Sequence, residues 1–260
     1  MIKVNGKEII FDKFPNNETL FKKQIDNIKE NVLVTFKYED DSDLIKLLLV
    51  KKEIDKFCPE FYCLEIMYMP YSRMDRDGGD MVFTLKYISE FINNLNFDSV
   101  VIYESHSNVC LDLINNGIDK YFTPMLLDGV KEKYDYILLP DAGSCERYQD
   151  MFNANIIYAN KERDFNTGKI LNLEIVGDIK EGSDVVIVDD LSSFGGTFLW
   201  AASKLKERGV NNIYLVIGHA EKSILQGKIP ESDLIKRVYT TNSIIDKNQE
   251  TDKIKIKEVV

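Results

Sequence analysis

The stretch VVIVDDLSSFGGT, residues 185–197, restricts the fold of this chain more than any other. Its β-branched run at 185–188 predicts a strand that is buried on both faces of a sheet. Two carboxylates, Asp189 and Asp190, end this run, and a loop of hydroxyls and glycines follows them. A helical sequence starts directly after the loop and ends at Gly209, since glycine commonly follows the last residue of a helix. Strand, loop and helix in this order bring backbone N–H groups and a helix N-terminus to one point, which suits a phosphate group.

The loop after the two acids has the residue types of a phosphate-binding loop, although it is not a Walker A motif because no Gly-Lys-Ser/Thr is present. Its glycines allow the backbone to approach a ligand, and its hydroxyls can donate hydrogen bonds. The candidate binding residues are Ser192, Ser193, Phe194, Gly195, Gly196 and Thr197. Because Asp189 and Asp190 would repel a phosphate, we expect them to face ribose hydroxyls or a metal ion. The alternative is a buried strand and an ordinary capped helix, with both acids solvated.

The composition limits the class of protein and its partners. A chain of 260 residues with 44% hydrophobic residues can form one large or two small α/β domains with a substantial core. Its formal net charge of −10 argues against a general nucleic-acid-binding protein. The four cysteines show no Cys-x-x-Cys spacing, which favours reduced thiols and a cytoplasmic location. We find no apolar run of membrane-spanning length and no signal peptide, so we expect no membrane partner.

Strand and helix patterns alternate along most of the chain. Strands are predicted near residues 31–37, 62–68, 99–103, 136–139, 155–159, 213–217 and 238–240. Helical patterns lie between several of them, and the pattern restarts near Met125. This alternation favours an α/β fold with mostly parallel sheets flanked by helices. We predict two related domains, residues 1–124 and 125–260.

Shorter signals predict local structure. Asn5-Gly6 predicts a tight hairpin turn near the start of the chain. Ser42 precedes a helical run and is expected to cap it. The charged segment at residues 160–164 is expected to be a loop.

Two other segments carry candidate binding residues. Residues 70–80 follow a predicted strand, alternate in charge and contain a glycine pair. The guanidinium groups of Arg73 and Arg76 suit a triphosphate, and the alternative is a solvated surface turn. His106 lies at the end of another predicted strand, beside Glu104. A histidine there is either structural or, at the carboxyl edge of a parallel sheet, a metal ligand or phosphate contact.

In their order along the chain, these segments resemble the ribose-phosphate diphosphokinase family, also called phosphoribosyl pyrophosphate synthetases, of the type I phosphoribosyltransferase fold. The family's Phe-Ser-Asp-Gly-Glu, Arg-Gln-Asp-Arg and Asp-Leu-His segments correspond to FPNNE at 14–18, RMDR at 73–76 and ESH at 104–106. Its Pro-Asp-His-Gly, Lys-Arg-Arg and Thr-Asn-Ser-Ile segments correspond to PDAG at 140–143, KER at 161–163 and TNSI at 241–244. The family's ribose-phosphate loop corresponds to residues 189–197.

The resemblance implies two phosphoribosyltransferase-like domains and transfer of the β,γ-pyrophosphoryl group of ATP to the C1 hydroxyl of ribose 5-phosphate, with Mg²⁺ as cofactor. It implies that Lys161 and Arg163 are catalytic and that His106 and Asp141 carry the metal. It implies ATP binding by Phe14, Glu18, Arg73, Asp75, Arg76 and His106. It assigns the ribose hydroxyls to Asp189 and Asp190, and the 5-phosphate to the loop that ends at Thr197. The adenine contact comes from a neighbouring subunit in this family, so a homo-oligomer is expected.

The chain also departs from the family pattern. Ser193-Phe194 replaces an acid and a small residue in the ribose-phosphate loop, and Met74 replaces a glutamine that contacts the nucleotide. These changes leave a second acceptor open, ADP-ribose, as in phage relatives that rebuild NAD. A third interpretation is a non-catalytic regulator of the synthetase. Such relatives typically lose the catalytic lysine and the metal-site histidine, whereas Lys161 and His106 are present here.

Overall fold

The computed structural model describes residues 1–26, 28–78, 80–163 and 170–260. The chain forms two compact units, an N-terminal unit of Met1–Lys120 with Val260 and a C-terminal unit of Tyr121–Val259. Among the described residues, no helix is both long and apolar enough to cross a membrane.

The N-terminal unit is built on a six-stranded sheet and a separate two-stranded hairpin. Its elements are β1 (Ile2–Val4), β2 (Lys7–Ile9), β3 (Phe11–Lys13), β4 (Thr19–Phe21), β5 (Asn31–Phe36), α1 (Ser42–Ile54), β6 (Phe61–Ile66), α2 (Thr84–Asn93), β7 (Ser99–Tyr103), α3 (Asn108–Leu113) and β8 (Gly117–Lys120). The sheet order is β2-β1-β5-β6-β7-β8, and its last four strands are parallel. The hairpin is β3 and β4.

The core of this unit lies between the sheet and its helices. Strand β5 buries alternate residues, Val32, Val34 and Phe36, as expected for a strand with one face on the core. They cluster with Leu47 of α1 and Leu85 of α2. Because each helix follows one parallel strand and precedes the next, the loops after β6 and β7 share one edge of the sheet.

Two local predictions in this unit have different outcomes. The hairpin turn is confirmed, since Asn5 and Gly6 both have positive φ, 47° and 79°, between the antiparallel strands β1 and β2. The predicted cap is wrong. Ser42 is the first residue of α1, and the N-cap position is Asp41, which makes no side-chain cap. The carboxylate of Asp40 accepts hydrogen bonds from both the N–H and the hydroxyl of Ser42, so Ser42 lies inside the helix and an acid before it binds its N–H group.

The C-terminal unit is built on a seven-stranded sheet in the order β11-β10-β9-β12-β13-β14-β15. Its elements are α4 (Thr123–Asp128), β9 (Tyr136–Leu139), α5 (Ala142–Tyr148), β10 (Asn155–Arg163), β11 (Ile170–Val176), β12 (Val185–Ser192), α6 (Gly196–Glu207), β13 (Ile213–Ala220), β14 (Arg237–Thr241) and β15 (Ile254–Lys257). All neighbouring pairs are parallel except β10 with β11. The predicted α/β class with mostly parallel sheets is confirmed.

The central strands of this sheet are buried on both faces. All residues of β12 except Leu191 are buried, as are all residues of β13. Helix α6 packs Phe198, Ala201 and Leu205 into the same core. It ends where the sequence predicts, since Gly209 follows with a φ of 77°.

The predicted charged loop at residues 160–164 is wrong for its first part. Strand β10 continues through Lys161 to Arg163, because β11 pairs with it antiparallel, Lys161 opposite Leu173. A β-bulge lies between Glu162 and Arg163. Asp164, the side chains of Lys161 and Arg163, and any geometry that depends on them lie outside the described part of the chain.

Candidate functional site

The loop between β12 and α6 is held in shape by close packing of its backbone. Gly195 is the N-cap of α6 and has a φ of 81°, a conformation that favours glycine. A Cβ atom at Gly195 would lie 2.1 Å from Cδ1 of the buried Ile229. A Cβ atom at Gly227 would lie 2.2 Å from the carbonyl oxygen of Phe194. A side chain at either glycine would therefore clash with its neighbours, and the backbone of the loop would have to move.

The polar groups of this loop are only partly engaged. The Ser192 hydroxyl donates to the Ser193 carbonyl oxygen at 3.2 Å, and Ser193 Oγ lies 3.0 Å from Ser223 Oγ. In the described structure, no side chain caps α6, whose first residues are Gly196 and Thr197. Uncapped N–H groups at a helix N-terminus favour an anion. The geometry thus fits a phosphate, with fewer available hydroxyls than the sequence suggests.

The two acids lie within β12. The sequence had predicted that they follow the end of the strand. The strand continues to Ser192 because its last residues pair with β13, up to Ala220. Asp189 is 7% exposed and Asp190 is 3% exposed. The alternative in which both acids are solvated surface groups is therefore wrong. Buried carboxylates require a cation or hydrogen-bond donors.

Arg147 on α5 is the cation that sequence reasoning missed. Its Nη2 lies 3.1 Å from Asp189 Oδ1 and 2.7 Å from Asp190 Oδ1, and its side chain is 13% exposed. The backbone N–H of Asp190 also donates to Asp189 Oδ1, at 3.0 Å. The signal available in the sequence was weak. Arg147 is the one basic residue in the segment 140–148, which follows a predicted strand.

Burial and neighbouring charges have opposite effects on the pKa values of Asp189 and Arg147. Burial raises the pKa of Asp189 well above its usual value, the charges of Asp190 and Asp141 add to the increase, and Arg147 counteracts it. Burial lowers the pKa of Arg147, but the charges of Asp190 and its other neighbours outweigh this and raise it above its ordinary value. We therefore treat Arg147 as positively charged at every pH at which the protein is folded.

Asp141 lies at the same edge of the sheet. It follows β9, the parallel neighbour of β12, and it is the N-cap of α5. Its Oδ1 accepts a hydrogen bond from the Ser144 backbone N–H at 2.9 Å, while its own N–H donates to Ser144 Oγ. The predicted metal ligand therefore also has a structural task, since this capping box holds the first turn of the helix.

The N-terminal unit brings together three of the predicted ATP-binding residues. Asp75 and Arg76 follow β6, His106 follows the neighbouring parallel strand β7, and Arg76 Nε lies 3.0 Å from Asp75 Oδ1. Asp75 is buried, whereas Arg73 and Arg76 are exposed. Burial raises the pKa of Asp75, but the nearby Ser107, Arg76 and His106 outweigh this and hold it below its usual value. The ionised, buried Asp75 thus holds the Arg76 guanidinium in place, and the exposed guanidinium groups of Arg73 and Arg76 are the ones that suit an anionic ligand.

The turn that carries His106 has an unusual backbone. Glu104 and His106 have φ values of 52° and 70°, which each cost a residue with a side chain roughly 1–3 kcal/mol. Ser105, between them, donates from its N–H and Oγ to the carboxylate of Asp119 on β8, at 3.2 and 3.1 Å. Asp119 is a second residue that sequence reasoning missed. It holds a strained turn at a candidate site.

Phe14 and Glu18 lie on the connection between β3 and β4. The Phe14 N–H donates to the Glu18 carbonyl oxygen at 2.9 Å, and the Glu18 N–H donates to Asn16 Oδ1 at 3.2 Å. The Phe14 side chain is 47% exposed. The hairpin therefore presents an exposed, flat apolar ring, which can stack on adenine.

The comparisons with known proteins point to one family. A family model described as the phosphoribosyl synthetase-associated domain matches residues 159–260. The ribose-phosphate pyrophosphokinase of Vibrio cholerae serotype O1 is 31% identical over 190 residues, which are 69% of this chain and 60% of that protein. That of Sulfurisphaera tokodaii is 28% identical over 249 residues, which are 89% of this chain and 82% of that protein. Over most of its length the chain is thus similar to ribose-phosphate pyrophosphokinases.

A solved structure shares the fold of this chain. The phosphoribosylpyrophosphate synthetase of Mycobacterium smegmatis matches with a TM-score of 0.76 at 16% identity, and the match covers 96% of this chain and 86% of that chain. The fold is therefore two phosphoribosyltransferase-like domains, as predicted. The matches to the Vibrio relatives span only about 60% of the length of those proteins.

Of the two predicted metal ligands, His106 belongs to the N-terminal unit and Asp141 to the C-terminal unit. Among the described residues there is no group of three or more histidines, cysteines and acids that could hold a metal ion. Mg²⁺ commonly keeps several waters and binds one or two carboxylates together with substrate phosphates. Asp141, at the edge that carries Asp189 and Asp190, fits such a sparse set of ligands.

Proposed function

We propose that this chain transfers the β,γ-pyrophosphoryl group of ATP to the C1 hydroxyl of ribose 5-phosphate, with phosphoribosyl pyrophosphate and AMP as products. One observation carries this proposal: the buried pair Asp189 and Asp190 lies on the last part of β12, and a short loop leads from this strand to the uncapped N-terminus of α6. A phosphorylated sugar has matching groups, hydroxyls for the acids and a phosphate for the loop. The names of the relatives support the same chemistry.

Each part of the acceptor has a proposed partner in the C-terminal unit. Asp189 and Asp190 accept hydrogen bonds from the ribose 2- and 3-hydroxyls. The 5-phosphate is bound by N–H groups and hydroxyls of the loop, Ser192, Ser193, Phe194, Gly195, Gly196 and Thr197. The sugar is thereby held at both ends, which orients its C1 hydroxyl and lowers the entropic part of the barrier.

ATP has its proposed partners mainly in the N-terminal unit. Arg73 and Arg76 bind the triphosphate, Asp75 keeps Arg76 in place, and His106 contacts the phosphates. Phe14 and Glu18 bind adenine, in this family from a neighbouring subunit, so we propose a homo-oligomer. Mg²⁺, held by His106 and Asp141, would neutralise the charge of the triphosphate when bound.

The proposed reaction is a displacement at phosphorus. A bond forms between the C1 oxygen of the sugar and the β-phosphorus of ATP. The bond between the β-phosphorus and the α,β-bridging oxygen breaks, and AMP leaves with the electron pair of that bond. The proton of the C1 hydroxyl is lost to solvent. Such a transfer needs positioning and charge stabilisation more than covalent catalysis. We assign the stabilisation of the transferred group to Lys161 and Arg163, which lie on β10.

A second candidate function is the same transfer to ADP-ribose, as a step in rebuilding NAD. The observation in its favour is Phe194, whose side chain is 57% exposed on the phosphate loop. In ADP-ribose, the ribose 5-phosphate is esterified to a second phosphate and an adenosine. An exposed ring next to the bound phosphate can contact this additional group by stacking.

The test is AMP release from ATP and Mg²⁺, with ribose 5-phosphate and ADP-ribose compared as acceptors. Lys161→Ala should reduce turnover at least about a hundredfold, since it removes a charge that stabilises the transition state. Lys180→Ala, at an exposed lysine, is the matched control. Turnover with one acceptor alone decides between the two candidates. Absence of AMP with both would refute the enzyme and favour a non-catalytic regulator.

A further inference from the structure

We propose that Arg147 is a positioning residue for the acceptor: it holds the carboxylates of Asp189 and Asp190 in the arrangement that receives the sugar hydroxyls. This inference rests on the proposed function, because it presumes that these two acids bind the acceptor. Nothing in the chemistry of the transfer requires an arginine here, and the sequence motifs do not contain it.

The contacts of Arg147 join the two acids into one unit. A single nitrogen, Nη2, lies within hydrogen-bond distance of one oxygen of each carboxylate, at 3.1 and 2.7 Å. The Asp189 oxygen also accepts the N–H of Asp190. Both carboxylates are thereby restrained in orientation, since each side chain shares the same donor.

The charges of this cluster explain why a cation is needed at this point. Asp189 and Asp190 are neighbours in sequence and both are buried, so their negative charges repel each other where water screens them poorly. Asp141 contributes a further negative charge nearby. Without Arg147 the two acids would separate or lose charge, and either change would remove acceptors that the sugar hydroxyls need.

Aromatic side chains on and near α5 hold Arg147 in position. Its guanidinium lies 5.5 Å from the ring centroid of Tyr148, which is fully buried. The Tyr148 ring stacks on Phe152 and meets Tyr121 edge-on. Helix α5 is thus anchored beside β12, and the guanidinium is presented to the acids before any ligand binds.

Gly143 offers a way to move Arg147 without removing its charge. A Cβ atom at this glycine would lie 3.3 Å from Arg147 Nη1 and 3.5 Å from Asp141 Oδ1. Alanine there would press on the guanidinium, although alanine itself favours the helix. A loss of acceptor binding in Gly143→Ala that matches the loss in Arg147→Gln would therefore reflect a shifted guanidinium and not a weaker helix.

The experiment compares Arg147→Gln, Arg147→Lys and Gly143→Ala with the wild type and with Arg208→Gln, a control at the end of α6. We expect Arg147→Gln to raise KM for the acceptor about tenfold to a hundredfold, the range for loss of hydrogen bonds to charged groups. KM for ATP should change less than about twofold, and thermal unfolding should stay cooperative. Arg147→Lys should recover part of the loss, since lysine restores the charge without the planar fork.

Two results would overturn the inference. One is an unchanged acceptor KM in both Arg147→Gln and Gly143→Ala; the other is an equal rise in both KM values, as a general structural defect would produce. If Arg147→Gln does not fold, Arg147→Lys and Gly143→Ala carry the test.

Calorimetric titration with ribose 5-phosphate and ADP-ribose separates this inference from the proposed function. Binding without turnover in the wild type, weakened tenfold in Arg147→Gln, would refute the activity and support the role of Arg147, whereas no binding in the wild type would refute both.

Discussion

Gly195→Ala tests whether backbone packing defines the candidate phosphate loop. Gly195 has a φ of 81°, and this left-handed conformation costs a residue with a side chain roughly 1–2 kcal/mol. The new Cβ would lie 2.1 Å from Cδ1 and 2.8 Å from Cγ1 of Ile229, which is fully buried. Overpacking of this kind costs about 1–3 kcal/mol. We therefore expect a total loss of about 2–5 kcal/mol in the free energy of unfolding of the C-terminal unit.

The measurement is urea denaturation followed by the fluorescence of Trp200, the single tryptophan of the chain, which lies on α6 and packs against the core of this unit. The matched control is Gly182→Ala, because Gly182 also has a φ of 81° but has nothing within 4 Å of its Cβ position. That variant should lose only the conformational part, roughly 1–2 kcal/mol.

A double mutant isolates the steric part of the effect. Ile229→Val removes Cδ1, the atom nearest to the new methyl group, at a cost of about 0.5–1.5 kcal/mol by itself. Combined with Gly195→Ala, it should destabilise the unit less than the sum of the two single changes. The reasoning would be refuted if Gly195→Ala lost no more stability than Gly182→Ala, or if the two changes at 195 and 229 were additive.

Three further predictions concern the remaining candidate residues. Asp119→Ala removes the acceptor that holds Ser105, so we expect KM for ATP to rise at least about threefold in initial-rate measurements. Asp112→Ala, at an exposed position of α3, is the control, and an unchanged KM in Asp119→Ala would contradict this role. Phe194→Ser should raise KM for ADP-ribose several-fold and leave KM for ribose 5-phosphate unchanged, and equal effects on both acceptors would exclude a selective contact. Burial raises the pKa of Asp75, but hydrogen bonds and neighbouring positive charge hold it below its ordinary value of 3.8. The contribution of Asp75 to stability is therefore present above pH 3.8 and lost as the pH falls through the lower pKa of the folded state. Asp75→Asn should lower the free energy of unfolding at neutral pH and make it depend less on pH below about pH 4. Asp112→Asn is the control and should show neither effect.

The sequence identified the central elements because their signals are local. A β-branched run, an acid pair and a glycine loop are contiguous at residues 185–197, and the structure places them on β12 and at the start of α6. The alternation of strands and helices likewise predicted the α/β class. Two of its local predictions are wrong: α1 already includes Ser42, with Asp41 at the N-cap position, and the segment at Lys161 is a strand because β11 pairs with it.

Other features depended on contacts that no local pattern contains. Arg147 meets Asp189 across 42 residues of sequence, because β9 and β12 are parallel neighbours and bring α5 to the end of β12. Asp119 reaches Ser105 from a neighbouring strand in the same way.

The sequence by itself thus determined the fold class, the candidate phosphate loop and the identity of the candidate acids. The tertiary structure alone decided that Asp189 and Asp190 are buried, that a single guanidinium joins them and that β12 continues beyond them. The physical reason is that residue type and spacing specify which hydrogen bonds and charges a segment can offer. Burial and the approach of distant strands determine which of those groups meet, and how strongly they interact once water is excluded.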